Sequence, residues 1–375
     1  MAQQHILVTG GAGFIGSHLV DALIAQGHKV RILDALVEQV HLGKMPAHLN
    51  PKAEFLQGDI CDATLLDRAL EDIDIVSHQA AEVGVGQSMY EPIRYVRANT
   101  LGTTILLERM SQRQRTKPFK KLVVASSMSI YGEGAYDCAQ CGEVHPQLRP
   151  AEQLQAHEWE VKCPECGQPL KPKGTSEAKP LFPTSVYAIS KQDQEQLCLV
   201  MGRAYGIPTV ALRYFNVYGT RQALSNPYTG LCAIFSSRLL NNRAPLVYED
   251  GVQSRDFVHV SDIVQANLLA LSISRADFLP VNVGTGVTHS VNRISEMLAA
   301  GLGKSINAEI VGQYREGDIR HCVADITRAQ KLLGFSPKVK LQDGLKDLLS
   351  WVSQQHAVDR SAEATAELAK RNLMR

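Results

Sequence analysis

The stretch Thr9-Gly-Gly-Ala-Gly-Phe-Ile-Gly16 limits what this chain can fold into more than any other. Gly10, Gly13 and Gly16 recur at every third position, after an apolar run from His5 to Thr9. From Phe14 to Gln26 apolar residues fall at helical spacing until Gly27 stops the helix, and a second apolar run from Lys29 to Leu33 ends at Asp34. Strand, glycine turn, helix and strand make one βαβ unit. Glycines let the backbone turn tightly and approach a pyrophosphate, which sits at a helix N-terminus where free N–H groups and the helix dipole favour an anion. An acid about 20 residues further on accepts from ribose hydroxyls, and Asp34 stands there. It would repel a 2′-phosphate and no Arg directly follows it, so the pattern favours NAD over NADP. A glycine turn without a ligand is the plainer alternative, disfavoured by this context.

Further strands are expected at Glu54–Leu56, Ile73–Ser77, Lys121–Ala125 and Thr209–Leu212, with helical stretches between them. This alternation predicts an α/β fold with a doubly wound parallel sheet. Asp59-Ile60 lies within reach of the adenine edge, although an exposed loop aspartate reads almost as well. After Tyr218 the pattern loosens. Helices are expected over 226–242, 261–274 and 341–352 and a strand over 279–283, building a smaller lobe over the sheet's carboxyl edge. The expected division is a cofactor domain over 1–220, interrupted by an insert at 134–180, then a substrate lobe over 221–355 and a polar tail over 356–375 that reads as a frayed helix.

No apolar run approaches a membrane span, and no basic leader precedes the first strand, so a cytoplasmic protein without a membrane partner is expected. Lys plus Arg total 39 against 38 Asp plus Glu, which supplies no basic field for nucleic acid. The expected partner is a small molecule.

Tyr187-Ala-Ile-Ser-Lys191 places a phenol and an ammonium four apart, on one helix face. A nearby cation favours the phenolate and suits the tyrosine to act as a base on a sugar or alcohol hydroxyl. Ser126-Ser127 end a strand at the sheet's carboxyl edge, where ligands bind.

With these residues the chain resembles the NAD-dependent epimerase/dehydratase branch of the extended short-chain dehydrogenase/reductase superfamily. The resemblance runs through His78-Gln-Ala-Ala81, Asn99-Thr-Leu-Gly-Thr103, Ser126 to Gly132, Arg213-Tyr-Phe-Asn-Val-Tyr-Gly219, Arg255 to Val260 and Arg315-Glu-Gly-Asp-Ile-Arg320. It implies Tyr187 as base, Lys191 as its partner on the nicotinamide ribose, and Ser127 as the hydroxyl bonding the sugar's reacting oxygen. It implies cofactor contacts from Gly10, Gly13, Phe14, Ile15, Gly16, Asp34, Asp59, Ile60, Ala80 and Asn99. For a nucleotide-diphosphate sugar it implies Ser88, Ser127, Asn216, Gln222, Arg255 and Arg320. A homodimer through a helix pair, one helix carrying Tyr187, is implied as well.

Family chemistry begins with oxidation at C4. In 4,6-dehydratases an Asp and a Glu beside the catalytic hydroxyl remove water; aligned on Ile130-Tyr131-Gly132, this chain has Met128 and Ser129 there, which cannot do that proton work. The resemblance therefore implies a nucleotide-sugar 4-epimerase with tightly held NAD, acting on a dTDP-6-deoxyhexose such as dTDP-L-rhamnose. A UDP-hexose 4-epimerase, a dehydratase, a 4-ketosugar reductase and an idle sugar-nucleotide scaffold remain alternatives.

Cys138-Ala-Gln-Cys141-Gly and Cys163-Pro-Glu-Cys166-Gly stand between Ser127 and Tyr187. Four thiolates in two C-x2-C pairs suit a tetrahedral structural Zn²⁺, and each trailing glycine permits the tight turn. The span carries five glutamates against Arg149 and Lys162, so a phosphate backbone would be repelled. A structural zinc ribbon at the site's mouth is expected, with Trp159 and Val161 in one of its strands and His145 and His157 unliganded. Cys61, Cys198, Cys232 and Cys322 read as scattered half-buried or core thiols.

Overall fold

A computed structural model describes residues 2–375. Seven strands form an all-parallel central sheet: β1 (His5–Thr9), β2 (Lys29–Asp34), β3 (Glu54–Gln57), β4 (Ile75–His78), β5 (Lys121–Ser127), β6 (Thr209–Tyr214) and β7 (Leu279–Val283). Their order is β7-β6-β5-β4-β1-β2-β3, which reverses direction at β1. Continuous apolar runs such as Ile6-Leu7-Val8 and Leu122-Val123-Val124 are fully buried, as a parallel sheet covered on both faces requires. Helices Phe14–Ala25 and Val260–Ser272 pack on one face. Helices Ala63–Leu70, Gly102–Gln114 and Val186–Tyr205 pack on the other.

The helix Val186–Tyr205 starts where Ser185 accepts a hydrogen bond from Ala188 N at 3.1 Å and stops at Gly206 in the left-handed region. On its inner face Glu195 receives Arg213 of β6 through Nε at 2.9 Å and Nη2 at 2.5 Å, and Ser126 of β5 through Oγ at 2.6 Å. Both partners of the ion pair are buried, so it ties this helix to two strands without competition from water.

A second sheet is separate from the central one. Its strands run Asn216–Tyr218, Ser254–His259, His321–Ala324, Lys171–Thr175, Ala135–Cys138 and Gly142–Val144, and Thr288–Ser290 pairs antiparallel to the second of these. The last three strands belong to the insert, which therefore extends the lobe's sheet rather than standing apart. The insert has a small core of Tyr136, Val144, Val161 and Leu170 around the thiols.

Three local expectations differ from the structure. The helix expected from 226 begins at Leu231, because Pro227 and Gly230 interrupt the preceding turn. Trp159 joins no strand: only Lys162 and Pro169 bridge, and the indole ring stacks against His157 and Tyr314. The tail does not fray. Helix Ser361–Lys370 buries Ala364 and Leu368, and beyond it Met374 bridges Arg315 while Tyr314 and Arg375 exchange backbone hydrogen bonds at 2.9 and 3.0 Å. No helix among the described residues is long and apolar enough to cross a membrane.

Replacing Glu195 by Ala leaves the Arg213 guanidinium buried without its counter-charge. Urea unfolding is expected to show a loss of about 3–5 kcal/mol; a loss below about 1 kcal/mol would show that the pair does not anchor this helix.

Candidate active site

At the carboxyl edge of the central sheet lies a cavity of about 720 Å³. Its wall draws on the glycine turn, the ends of β2, β4, β5 and β6, and the substrate lobe. Gly10 has φ +68°, and a Cβ there would come within 2.7 Å of Ala80 N. At Gly16 a Cβ would lie 2.1 Å from Gly10 O, so the turn and the helix behind it can approach this closely only as glycines. Phe14 and Ile15, the helix's first residues, line the cavity, and at that position their N–H groups have no intrahelical acceptor. Asp34 accepts from Ala12 N at 3.0 Å and Leu36 N at 2.9 Å, which aims its carboxylate across the turn. A cradle that side chains would fill, with unpaired N–H groups and an acid at the end of the second strand, fits an adenine dinucleotide. Ala80, Asp59 and Ile60 complete this end; Asp59 also pairs with Arg97 at 2.9 Å.

Tyr187 and Lys191 face the cavity from the helix, and Ser127 faces it from the end of β5. The Ser127 hydroxyl lies beside the phenol and accepts from Ser129 N at 3.1 Å and Ser129 Oγ at 2.9 Å. Burial pushes the Tyr187 phenol above its ordinary value, and the neighbouring Ser127 hydroxyl opposes this only in part. The expected lowering by Lys191 is absent, for a geometric reason. The lysine donates to Ala125 O at 2.5 Å and Gln194 Oε1 at 2.6 Å, and burial holds its own pKa down to about 7. Lys191 thus anchors the helix to β5 and reaches the cavity beside the phenol rather than bonding to it.

Three predicted contacts fall elsewhere. Arg320 is fully buried away from the cavity, bonded to Glu160, Glu249 and Asp250. Arg315 lines the cavity instead, its guanidinium over Tyr248 and paired with Asp318 at 2.8 Å. Between them Gly317, at φ +82°, turns the chain so that one arginine faces the cavity and the other the sheet. Ser88 sits behind the wall, donating to Val85 O at 2.6 Å and accepting from Tyr187 N at 3.0 Å. Asn99 is buried in a π-helical turn over Val96–Leu101 and clamps the loop at Glu82 through N–H at 2.8 Å and C=O at 3.0 Å. Both residues support the site through its backbone. The tail supplies a wall the sequence reading lacked: Ala364, Thr365 and Leu368 line the cavity.

Asn216, Gln222 and Arg255 also line the cavity. Asn216 Oδ1 and Gln222 Oε1 are buried without a hydrogen-bond partner, which fits a ligand supplying donors there. Arg255 is aimed by the carbonyls of Ile319 and Arg320, at 2.6 and 2.8 Å.

Away from the cavity the Sγ atoms of Cys138, Cys141, Cys163 and Cys166 lie within 4.8 Å of one another, with Cys138 and Cys166 3.5 Å apart. Tetrahedral Zn–S bonds of about 2.3 Å place sulfurs about 3.8 Å apart, so the four thiols fit such an ion. Gly142 and Gly167 adopt φ +77° and +73° at the turns after each pair. His145 bonds Glu143 at 3.1 Å and His157 stacks on Trp159, so neither joins the thiols.

Comparison with known proteins agrees with this geometry. Residues 6–156 match the NAD dependent epimerase/dehydratase family, and residues 167–348 match the GDP-mannose 4,6 dehydratase family model. A dTDP-L-rhamnose 4-epimerase from Burkholderia thailandensis is 34% identical over 94% of this chain and 96% of its own length. A putative UDP-glucose 4-epimerase from Methanocaldococcus jannaschii is 35% identical over 94% and 99%. The structure of a UDP-glucuronic acid 4-epimerase from Bacillus cereus, in complex with UDP-glucuronic acid and NAD, superposes with a TM-score of 0.77 at 29% identity, covering 94% of this chain and all of that one. The chain belongs to the NAD dependent epimerase/dehydratase family.

Gly16→Ala is expected to empty the cradle. Dinucleotide released by heat from the purified protein and quantified by chromatography should fall at least about tenfold; wild-type content would show that the turn does not hold the cofactor.

Proposed function

We propose that the protein is a nucleotide-sugar 4-epimerase acting on a dTDP-6-deoxyhexose, with dTDP-L-rhamnose and its C4 epimer dTDP-6-deoxy-L-talose as the interconverting pair. The carrying observation is the wall beside Tyr187. Ser127, Met128 and Ser129 line the cavity there and present hydroxyls and a thioether, with no carboxylate to remove water across C5 and C6. The match to the dehydratase family model begins at residue 167, after this stretch. NAD, when bound, supplies a reversible hydride acceptor at C4. Tyr187 Oη, as phenolate, takes the proton of the C4 hydroxyl and returns it to the same oxygen when reduction occurs from the other face. Ser127 Oγ bonds that oxygen, and Lys191, held by Ala125 O, fixes the helix that presents the phenol. Arg255 and Arg315 meet the diphosphate, for which planar, permanently charged forks are suited.

Similarity to the dTDP-L-rhamnose 4-epimerase supports the deoxythymidine substrate. The comparable likeness to the UDP-glucose 4-epimerase supports a UDP-hexose as the second reading. The four thiols are read as a structural Zn²⁺ site closed by protein, with no part in the proton steps. A homodimer fits the exposed apolar side chains of Ile93, Val96, Leu101, Ile189 and Val200 along the two helical segments that meet where Thr100 bonds Asp193.

Incubating the protein, without added cofactor, with dTDP-L-rhamnose and separately with UDP-glucose and following the sugar by proton NMR tests the reaction and its substrate together. A C4 epimer mixture at constant mass is expected from the first, and Tyr187→Phe should slow it by about 10²–10⁴. Loss of one water, or no change in either sugar, would overturn the assignment. Elemental analysis is expected to find one zinc per chain, retained by wild type and lost on replacing Cys163 with Ala; a metal-free wild type of full stability would refute the zinc reading.

A further inference from the structure

The cysteine insert and the cavity are mechanically continuous. Lys171–Thr175, the insert's last strand, pairs in parallel with His321–Ala324, whose other neighbour is Ser254–His259 in a register that sets Cys322 against Arg255. Buried side chains reinforce this path. Arg149, from the insert, makes a two-pronged pair with Glu249 at 2.7 and 3.0 Å and donates to Asp318 O at 3.3 Å. Glu160, between the two thiol pairs, accepts from Arg320 Nε at 3.0 Å and meets His321 Nε2 at 3.3 Å. Arg320 in turn bonds Glu249 at 2.9 Å and Asp250 at 2.7 and 2.9 Å.

The network ends at the cavity. Glu249 and Asp318 line it, Asp318 holds Arg315, and the carbonyls of Ile319 and Arg320 hold Arg255. An insert serving only as a solvated strap would need no such link. Its outward ion pairs, Lys162–Glu158 and Lys173–Glu143, are exposed and of the weak kind, whereas Arg149, Glu249 and Arg320 are 4% exposed or less at their side chains.

We propose that the insert is a positioning element for the substrate's diphosphate: Arg149 and Glu160 hold the segment 315–321, and through it Arg315 and Arg255, in the geometry that receives it. The inference rests on the nucleotide-sugar reading. Neither Arg149 nor Glu160 lines the cavity, so both are positioning residues. Once tied by the metal read above, the four thiols would stiffen the small core beside them.

The test uses the full chain with its bound NAD and measures calorimetric Kd for dTDP and for UDP, NAD content, and kcat and KM. Arg149→Gln is expected to weaken the tighter nucleoside diphosphate and raise KM by about tenfold, with kcat within about twofold and NAD content unchanged. Arg149→Lys should recover part of the loss. Should Arg149→Gln not fold, Glu160→Gln carries the test, because its side chain is 55% exposed and its loss leaves Arg320 two other carboxylates. Unchanged Kd and KM would overturn the proposal, as would a loss shared equally among Kd, kcat and NAD content, which marks a general structural role. A wild type that binds neither dTDP nor UDP would instead overturn the nucleotide-sugar reading.

Discussion

The active-site architecture hangs on one buried contact, the Lys191 ammonium against Ala125 O at 2.5 Å. A cation withdrawn from water is costly unless several acceptors replace the lost solvent, and here a strand carbonyl and Gln194 do so. The contact fixes how far along β5 the helix Val186–Tyr205 sits, and therefore that Tyr187 meets Ser127 rather than a neighbour. Glu195, one turn further on, repeats the device with Ser126 and Arg213. Two charged groups on one inner helix face set its position against the sheet, where apolar packing alone would tolerate sliding.

The same economy governs the other half of the site. Three acids and two arginines, Glu160, Glu249, Asp250, Arg149 and Arg320, are gathered where the insert meets the substrate lobe, and they neutralise one another closely enough for the arginines to be fully withdrawn from water. Arg255 and Arg315 are held at the edge of this cluster by carbonyls and by Asp318, which leaves their charge available to the cavity. The arginines that face the cavity are thus distinct from those buried among the acids.

What the sequence disclosed and what it concealed divide along a physical line. The glycine turn, Tyr187 with Lys191, and the four cysteines are local patterns whose spacing carries the chemistry, and the structure groups each as the spacing suggests. Arg315 and Arg320 lie in one short motif, and which of them meets a ligand depends on how Gly317 turns and on the pairing of His321–Ala324 between two strands distant in sequence. Ser88 and Asn99 are polar and close to the cavity, yet their bonds go to backbone and to Ser190, a distinction residue type does not carry. The phenol's ionisation was misjudged for the same reason: spacing puts the ammonium on the right face but not its protons, which are committed to Ala125 and Gln194. The docking of the terminal helix is not legible in the sequence because Leu368 finds its partner at Gly86, far away along the chain.

That last contact sets an order of events during synthesis. The glycine turn, β1 to β6 and the helix carrying Tyr187 all lie within the first 214 residues, so the cradle and catalytic pair can assemble on the emerging chain. The wall formed by Thr365 and Leu368 cannot exist until those residues have left the ribosome. The part of the cavity lined by the glycine turn and by Tyr187 is therefore present in the chain well before the wall that closes its other side.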